Sequence, residues 1–169
     1  IDDNLVELCA IKNYNKTKEA YKGIALSKYI DKFKSNMKSL FNDGWNLIIE
    51  GPTGALKTTT ACILAKEAIK QNYSVYFIEA QELKNIWLKQ EYENLKEKIY
   101  SVDLLILDDF GQEFMSGNSD YQLAELDHLL RSRLSTNRNI IITTNAKKEQ
   151  IEKRYSSRIS SLLCNKMMH

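Results

Sequence analysis

The stretch Trp45–Thr60 constrains the fold of this chain more than any other part of the sequence. A short apolar run, Asn46–Glu50, predicts a β-strand, and the pattern from Thr59 onward predicts a helix. Between them lies a loop that opens at Gly51 and closes on Lys57-Thr58. A strand, a glycine-bearing loop, Lys-Thr and a helix in this order are typical of a P-loop, whose amides and helix N-terminus bind phosphate.

The spacing departs from the usual pattern, G-x-x-x-x-G-K-[ST], at Leu56, which stands where the second glycine is expected. A non-glycine residue in a left-handed conformation costs about 1–2 kcal/mol, or roughly tenfold in affinity. We therefore expect the loop still to bind ATP and ADP despite this loss, unless the leucine side chain blocks the phosphate and leaves a degenerate P-loop. The predicted nucleotide-binding residues are Gly51, Pro52, Thr53, Gly54, Ala55, Leu56, Lys57, Thr58 and Thr59.

Strands and helices alternate along the rest of the chain, which predicts an α/β fold with a mostly parallel sheet. The further predicted strands are Ser74–Glu79, Val102–Leu107 and Asn139–Thr143. The predicted helices are a short one at residues 4–11, then Thr17–Leu40, Thr59–Gln71, Gln81–Tyr100, Asp120–Leu134 and Lys147–Leu163. The lysines of the Thr17–Leu40 helix form either a solvated surface or a stripe for nucleic acid.

Length and composition indicate effectively one globular domain, because the chain has 169 residues, of which 43% are apolar and 27% charged. We expect a helical lead-in at residues 1–44 and a nucleotide-binding core at residues 45–169.

The apolar runs are too short to span a bilayer and no secretory signal opens the chain. Cys9, Cys62 and Cys164 form no C-x-x-C pair, which is typical of structural thiols in a reducing compartment. These features predict a cytoplasmic protein, and the initial Ile1 suggests a fragment of a longer one.

Polar residues follow two of the predicted strands, at the sheet edge where ligands of parallel sheets bind. Asp108 is placed to hold Mg²⁺ together with Thr58, and Asp109 to orient and polarise an attacking water. The alternative for this acidic pair is a turn or helix cap after a buried strand. Asn145 is placed to contact the water or the γ-phosphate, or to cap the Lys147 helix.

Two pairs of arginines have open roles. Arg154 and Arg158 are four residues apart and would share one face of a helix. A guanidinium supplied by a neighbouring subunit stabilises charge on a γ-phosphate, but two solvated arginines would have the same spacing. Arg131 and Arg133 are predicted to be solvated or to lie at an interface.

Four segments together resemble the AAA+ ATPases of the DnaC/DnaI helicase-loader and IstB transposition-helper group. They are GPTGALKTT, LLILDDFGQE, IIITTN and RYSSRI, and the form DD-x-G-x-E is most similar to the DnaI-type loaders. The resemblance implies a P-loop NTPase fold of AAA+ type. A sensor-2 arginine and a fifth strand are not evident after Arg158, so we expect a truncated core.

The resemblance also implies an activity: an ATPase with nucleotide bound between subunits, which loads a replicative hexameric DNA helicase onto single-stranded DNA. In that group the arginine finger lies in a segment similar to the one around Arg158, which makes Arg158 the finger and Arg154 its companion. Two alternatives stay open. One is an IstB-like ATPase of transposition, and the other is a scaffold that binds nucleotide without hydrolysing it.

Overall fold

The structure is a computed structural model, and it describes residues 25–88, 93–111, 120–155 and 157. The strands are β1 (Asn46–Glu50), β2 (Val75–Glu79), β3 (Leu104–Phe110) and β4 (Asn139–Thr144). The helices are α1 (Ala25–Asn42), α2 (Lys57–Lys70), α3 (Leu83–Leu88), α4 (Glu93–Ser101), α5 (Asp120–Ser135) and α6 (Lys148–Arg154). The helix predicted at residues 4–11 lies outside the described residues. Within those residues, none of the helices combines the length and the apolar character needed to cross a membrane.

The four strands form one parallel sheet in the order β1-β4-β3-β2, which confirms the predicted α/β fold. The two central strands are the most apolar, because both of their faces are covered by protein. In β3 the run Leu104–Leu107 has no exposed surface, and in β4 the run Ile140–Ile142 is at most 1% exposed.

Alternate residues of each strand feed two separate cores, one on each face of the sheet. Leu104, Ile106 and Ile141 belong to the core beneath α1 and α2, whereas Leu105 and Leu107 belong to the core beneath the remaining helices. The helix side chains of the first core are Ile30, Phe33, Met37, Phe41, Ala61, Ile63, Leu64, Ala65 and Ala68. The lead-in helix is therefore packed on the sheet as part of the core, and it continues through Phe41 to Asn42, two residues beyond the predicted end at Leu40.

The single helix predicted over Gln81–Tyr100 is wrong. A 3₁₀ turn, Ala80–Glu82, precedes α3, and α4 follows as a second helix after residues 89–92, which are outside the described part. A straight helix of that length would span about 30 Å. Buried side chains in both helices, such as Trp87 and Ile99, instead contact one core, and a single rod would carry one end away from it.

The other predicted boundaries change by a few residues, and a tertiary contact accompanies one of the changes. Strand β3 begins later and continues through Asp108 and Asp109 to Phe110, whose ring is buried against Tyr155 at a centroid distance of 4.9 Å. Tyr155 is itself extended, with φ −107° and ψ 157°, so it ends α6. The predicted helical region Lys147–Leu163 is therefore interrupted at Tyr155, and residues 156 and 158–163 of it lie outside the described residues.

Candidate active site

The loop between β1 and α2 has the backbone of a phosphate-binding loop despite its missing glycine. Leu56 is in the left-handed region, with φ 60° and ψ 27°, as is Gly54 with φ 83°. Helix α2 begins at Lys57, two residues earlier than predicted, and Leu56 is its N-cap residue. A leucine side chain cannot cap the first amides of a helix, so these donors are available to an anion.

Lys57 is 7% exposed and its ammonium group has two partners. Nζ donates to the carbonyl of Pro52 at 3.0 Å and to Oδ1 of Asn145 at 2.5 Å. The first bond spans the loop, and the second joins it to the residue that follows β4. The structure thus brings Lys57 and Asn145 together, as their places at strand ends predicted.

Thr58 and Asp108 are also in direct contact. The hydroxyl of Thr58 lies 3.0 Å from both carboxylate oxygens of Asp108. Burial raises the pKa of the Asp108 carboxyl, and the nearby Asp109 charge adds to the rise. Hydrogen bonds from Thr143 and Thr58, together with the charge of Lys57, act in the opposite direction. The net effect is a raised pKa, because the cost of burial outweighs the groups that favour the charged form of Asp108.

The two acidic residues have different environments although they are adjacent. Asp108 is 5% exposed, whereas Asp109 is exposed and has a left-handed backbone with φ 53°. The register between β3 and β4 shifts between Leu107 and Phe110, which is the irregularity of a β-bulge. The Thr143 hydroxyl lies inside this irregular segment: it donates to Asp108 Oδ1 at 2.6 Å and accepts the Asp109 amide at 3.0 Å.

A cavity of about 350 Å³ opens at this edge of the sheet. Its lining residues are Thr53, Gly54, Leu56, Lys57, Thr58, Thr59, Asp109 and Asn145. This one cavity is therefore lined by six of the predicted nucleotide-binding residues. Asp109, the predicted water-orienting aspartate, and Asn145, the predicted contact of the γ-phosphate, line it too. Gly51, Pro52 and Ala55 complete the loop behind it, with the Ala55 amide 3.2 Å from the Pro52 carbonyl.

The residues of this edge fit both ligands that the sequence predicted. The Thr58 hydroxyl and the Asp108 carboxylate are already hydrogen-bonded to each other. Both are hard oxygen ligands of the kind that Mg²⁺ binds together with phosphate oxygens and water. The ammonium of Lys57 and the amides at the start of α2 are complementary to phosphate.

Three expectations about individual residues need correction or stay untested. Asn145 does not cap the last helix: Lys147 is the N-cap residue of α6, and its amide donates to Gln150 Oε1 at 2.8 Å. Arg133 is neither solvated nor at an interface, because it is 0% exposed. Arg158 lies outside the described residues, and the side chain of Arg154 is likewise not described, so their roles stay predictions.

Thr143 is the participant in the site that the sequence did not indicate. It stands in the run IIITT, where the sequence predicts the strand Asn139–Thr143 but indicates no role for this side chain. The available signal was a polar residue two positions before Asn145 in a strand covered on both faces. The structure places Thr143 at the site directly, because its hydroxyl donates to Asp108.

Comparison with known proteins gives one family and several similar folds. A family model described as "IstB-like ATP binding protein" matches residues 11–169. A protein of Pseudomonas fluorescens, named as a putative ATP-binding protein of insertion sequence IS1162, is 32% identical over 85 residues. That match covers 48% of this chain and 37% of the relative, so the chain spans well under half of the curated relative's length.

Among solved structures, the DnaC helicase loader matches with a TM-score of 0.68 at 22% identity, over 83% of this chain and 84% of that one. The structure of DnaI has the same TM-score at 20% identity, over 83% and 81% of the two chains. AMPPCP-bound DnaA from Aquifex aeolicus matches with a TM-score of 0.61 at 26% identity, over 75% of this chain and 41% of that chain. The first two likenesses concern the fold alone.

Proposed function

The chain belongs to the family of IstB-like ATP-binding proteins, and we propose from this premise that it is a Mg²⁺-dependent ATPase that serves transposition. The AAA+ P-loop fold and the DnaC/IstB group that the sequence indicated are confirmed by the same comparisons. ATP hydrolysis, the magnesium ion and the biological partner are the steps that the proposal adds.

One observation carries the proposed chemistry: the contacts of the P-loop with the two neighbouring strand ends. Lys57 contacts Asn145 after β4, and Thr58 contacts Asp108 in β3. A P-loop that served only to shape the chain would not need a carboxylate and an amide beside its lysine and hydroxyl. Their convergence on a cavity supports phosphate binding followed by hydrolysis.

In the proposed mechanism, ATP enters the cavity with its phosphates at the start of α2. Lys57 exchanges its bond with the Pro52 carbonyl for the β- and γ-phosphate oxygens, while Asn145 keeps the ammonium in position. Thr58 and Asp108 would hold Mg²⁺, which would neutralise charge on the phosphate oxygens. Asp109, exposed at the rim, orients the attacking water and polarises it toward the γ-phosphate.

A further guanidinium is proposed to come from a second subunit. Arg158, with Arg154 beside it, would stabilise the charge that develops on the γ-phosphate. This role requires self-association through the nucleotide interface. The basis for this proposed role is the resemblance of the segment around Arg158 to the segment that holds the arginine finger in the DnaC/DnaI and IstB group.

The role in transposition is favoured over helicase loading by the sequence relatives. The protein of Pseudomonas fluorescens is named for an insertion sequence and shares 32% identity, whereas DnaC and DnaI are alike mainly in fold. Helicase loading onto single-stranded DNA is the second candidate. A pull-down with the transposase of the same element and with a replicative helicase separates the two, because only the true partner is retained in an ATP-dependent manner.

The ATPase proposal is tested by titration calorimetry of Mg-ATP and Mg-ADP into the native chain and into Leu56→Gly, followed by phosphate release. We expect micromolar binding by the native chain and an affinity close to native in Leu56→Gly, because Leu56 is already left-handed without nucleotide and its strain of about 1–2 kcal/mol is therefore a cost to folding and not to binding. Lys57→Ala is the control that removes phosphate contacts without altering the backbone at position 56.

The outcomes of this titration separate the hypotheses. Binding with turnover supports the ATPase, and binding without turnover favours a nucleotide-dependent scaffold. If ATP binds only after Leu56 is replaced, the P-loop is degenerate and the proposed function is wrong. A salt series of single-stranded DNA affinity tests the DNA contact separately, since a flat profile argues against phosphate contacts.

A further inference from the structure

We propose that Thr143 is the positioning residue that holds both aspartates of the site, one by its carboxylate and the other by its backbone amide, an inference that rests on the proposed ATPase function. Its hydroxyl donates to Asp108 Oδ1 at 2.6 Å and accepts the Asp109 amide at 3.0 Å. A hydroxyl has one donor and two acceptor positions, so both bonds form at the same time. One side chain therefore fixes the carboxylate of one aspartate and the backbone of the next.

The Thr143 hydroxyl takes the place of the missing pairing between β3 and β4, at the irregularity between Leu107 and Phe110. Strands β3 and β4 are in register through Leu107 and again at Phe110, and the two aspartates between them have no partner residue in β4. The left-handed Asp109 is a conformation that persists only where its surroundings impose it. The bond from the Asp109 amide to Thr143 supplies that constraint.

This irregularity has a consequence for the chemistry. Successive side chains of a regular strand point to opposite faces of the sheet. Here Asp108 contacts Thr58 of the P-loop, and Asp109 lines the cavity beside the same loop. The bulge held by Thr143 thus lets two consecutive carboxylates serve one site, the first at the metal position and the second at the water position.

Thr144 provides a matched comparison within the same strand. It is also 0% exposed, and its hydroxyl also makes two bonds, donating to the Phe110 carbonyl at 2.6 Å and accepting the Ala146 amide at 3.0 Å. Both partners of Thr144 are backbone groups, and neither is an acidic side chain. Removing either hydroxyl deletes the same number of buried bonds, but only at Thr143 are the bonds to the aspartates.

The experiment compares Thr143→Val, Thr143→Ser and Thr144→Val with the native chain. For Thr143→Val we expect kcat to fall by about 10- to 100-fold, because a misplaced reacting group costs that much. The affinity for ATP in EDTA should stay within about threefold, since the phosphate contacts of Lys57 remain. The gain in affinity on adding Mg²⁺ should shrink, because Asp108 loses a donor that orients it. Thr143→Ser, which keeps the hydroxyl, should restore both values, and Thr144→Val should keep kcat within about threefold.

A second measurement needs no nucleotide. Hydrogen exchange of the Asp109 amide, followed by NMR, should be at least about tenfold faster in Thr143→Val and close to native in Thr143→Ser, because the acceptor is lost only in the first. If Thr143→Val does not fold, Thr143→Cys replaces it, since a thiol is a weak hydrogen-bonding group of similar size.

The two proposals fail in different ways. A native chain that neither binds nor hydrolyses ATP overturns the proposed function, and the exchange of the Asp109 amide then decides alone about Thr143. Unchanged exchange in Thr143→Val overturns the positioning role. So does an unchanged kcat, or an equal loss of kcat in Thr144→Val, because the effect would then belong to the strand end in general.

Discussion

Leu56 illustrates how a single unfavourable residue is accommodated in a functional loop. Its left-handed backbone is the conformation for which glycine is normally used at this position. Both the amide and the hydroxyl of Thr60 donate to the Leu56 carbonyl, at 2.9 Å and 2.8 Å. These two bonds anchor the strained residue to the first turn of α2. The strain is therefore offset locally, within the helix that carries Lys57 and Thr58.

Arg133 is the side chain whose environment differs most from the expectation. Its guanidinium donates to the carbonyls of Ile99, Val102 and Asn139 at 2.8–2.9 Å, which joins α4, the start of β3 and the start of β4. Burial lowers the pKa of Arg133 to about 9, so the group is still charged at neutral pH. The Arg133 side chain therefore holds these three segments together through its hydrogen bonds.

We predict that Arg133→Met lowers the free energy of unfolding by about 3 kcal/mol or more, because several buried carbonyls lose their donor at once. Urea unfolding measures this change. The matched control is Arg131→Met in the same helix, whose exposed ion pair with Asp127 should contribute less than about 1 kcal/mol. Equal effects of the two substitutions would contradict the role of Arg133 in holding the three segments together.

At the scale of secondary-structure elements, the turn before β1 contacts the turn before β4. Gly44, between α1 and β1, has φ +68°, and a Cβ built there would lie 3.0 Å from the Cα of Asn137, in the turn before β4. Asn46 links the same elements, since its side chain donates to the Gly44 carbonyl and accepts the Ile140 amide. The two turns therefore fix the register of the β1–β4 pair.

Gly44→Ala should lower the free energy of unfolding by about 2 kcal/mol or more, because left-handed strain adds to a clash with backbone that cannot move away cheaply. Gly54→Ala is the control: φ is +83° there, but nothing lies within 4 Å of an added Cβ, so only the strain of about 1 kcal/mol should appear. Equal losses in urea unfolding would show that the contact with Asn137 contributes nothing.

At the scale of the whole molecule, one chain presents most of the proposed active site. The cavity is lined by the loop, one acidic residue and Asn145, with no arginine among the lining residues within the described part of the chain. The proposed arginine in trans would supply positive charge from a neighbouring copy. Activity would then depend on assembly, and the protein concentration would set the turnover per chain.

We predict that Arg158→Ala abolishes turnover while its affinity for ATP stays close to native, because the finger acts in the transition state and from another subunit. Mixing Arg158→Ala with Asp109→Asn should recover part of the activity, since each variant supplies what the other lacks. Arg131→Ala serves as a surface-arginine control. Equal losses of affinity and turnover, or no recovery on mixing, would rule out a finger in trans.

The sequence by itself determined the order of elements, the parallel sheet and most of the site. Strand and helix periods, the loop Gly51–Thr58 and the polar residues after two buried strands are local features, and each appears in the structure close to its predicted place. The contacts of Lys57 with Asn145 and of Thr58 with Asp108 agree with one rule, that the carboxyl ends of parallel strands meet at one edge.

Tertiary structure alone decided the features that depend on contacts between distant segments. The break in the Gln81–Tyr100 helix, the end of α6 at Tyr155 and the burial of Arg133 each depend on packing that no local pattern encodes. The same holds for Thr143, which contacts residues more than thirty positions away. Local pattern specifies which backbone a residue prefers, whereas the partner of a buried polar group is fixed only when the sheet is assembled.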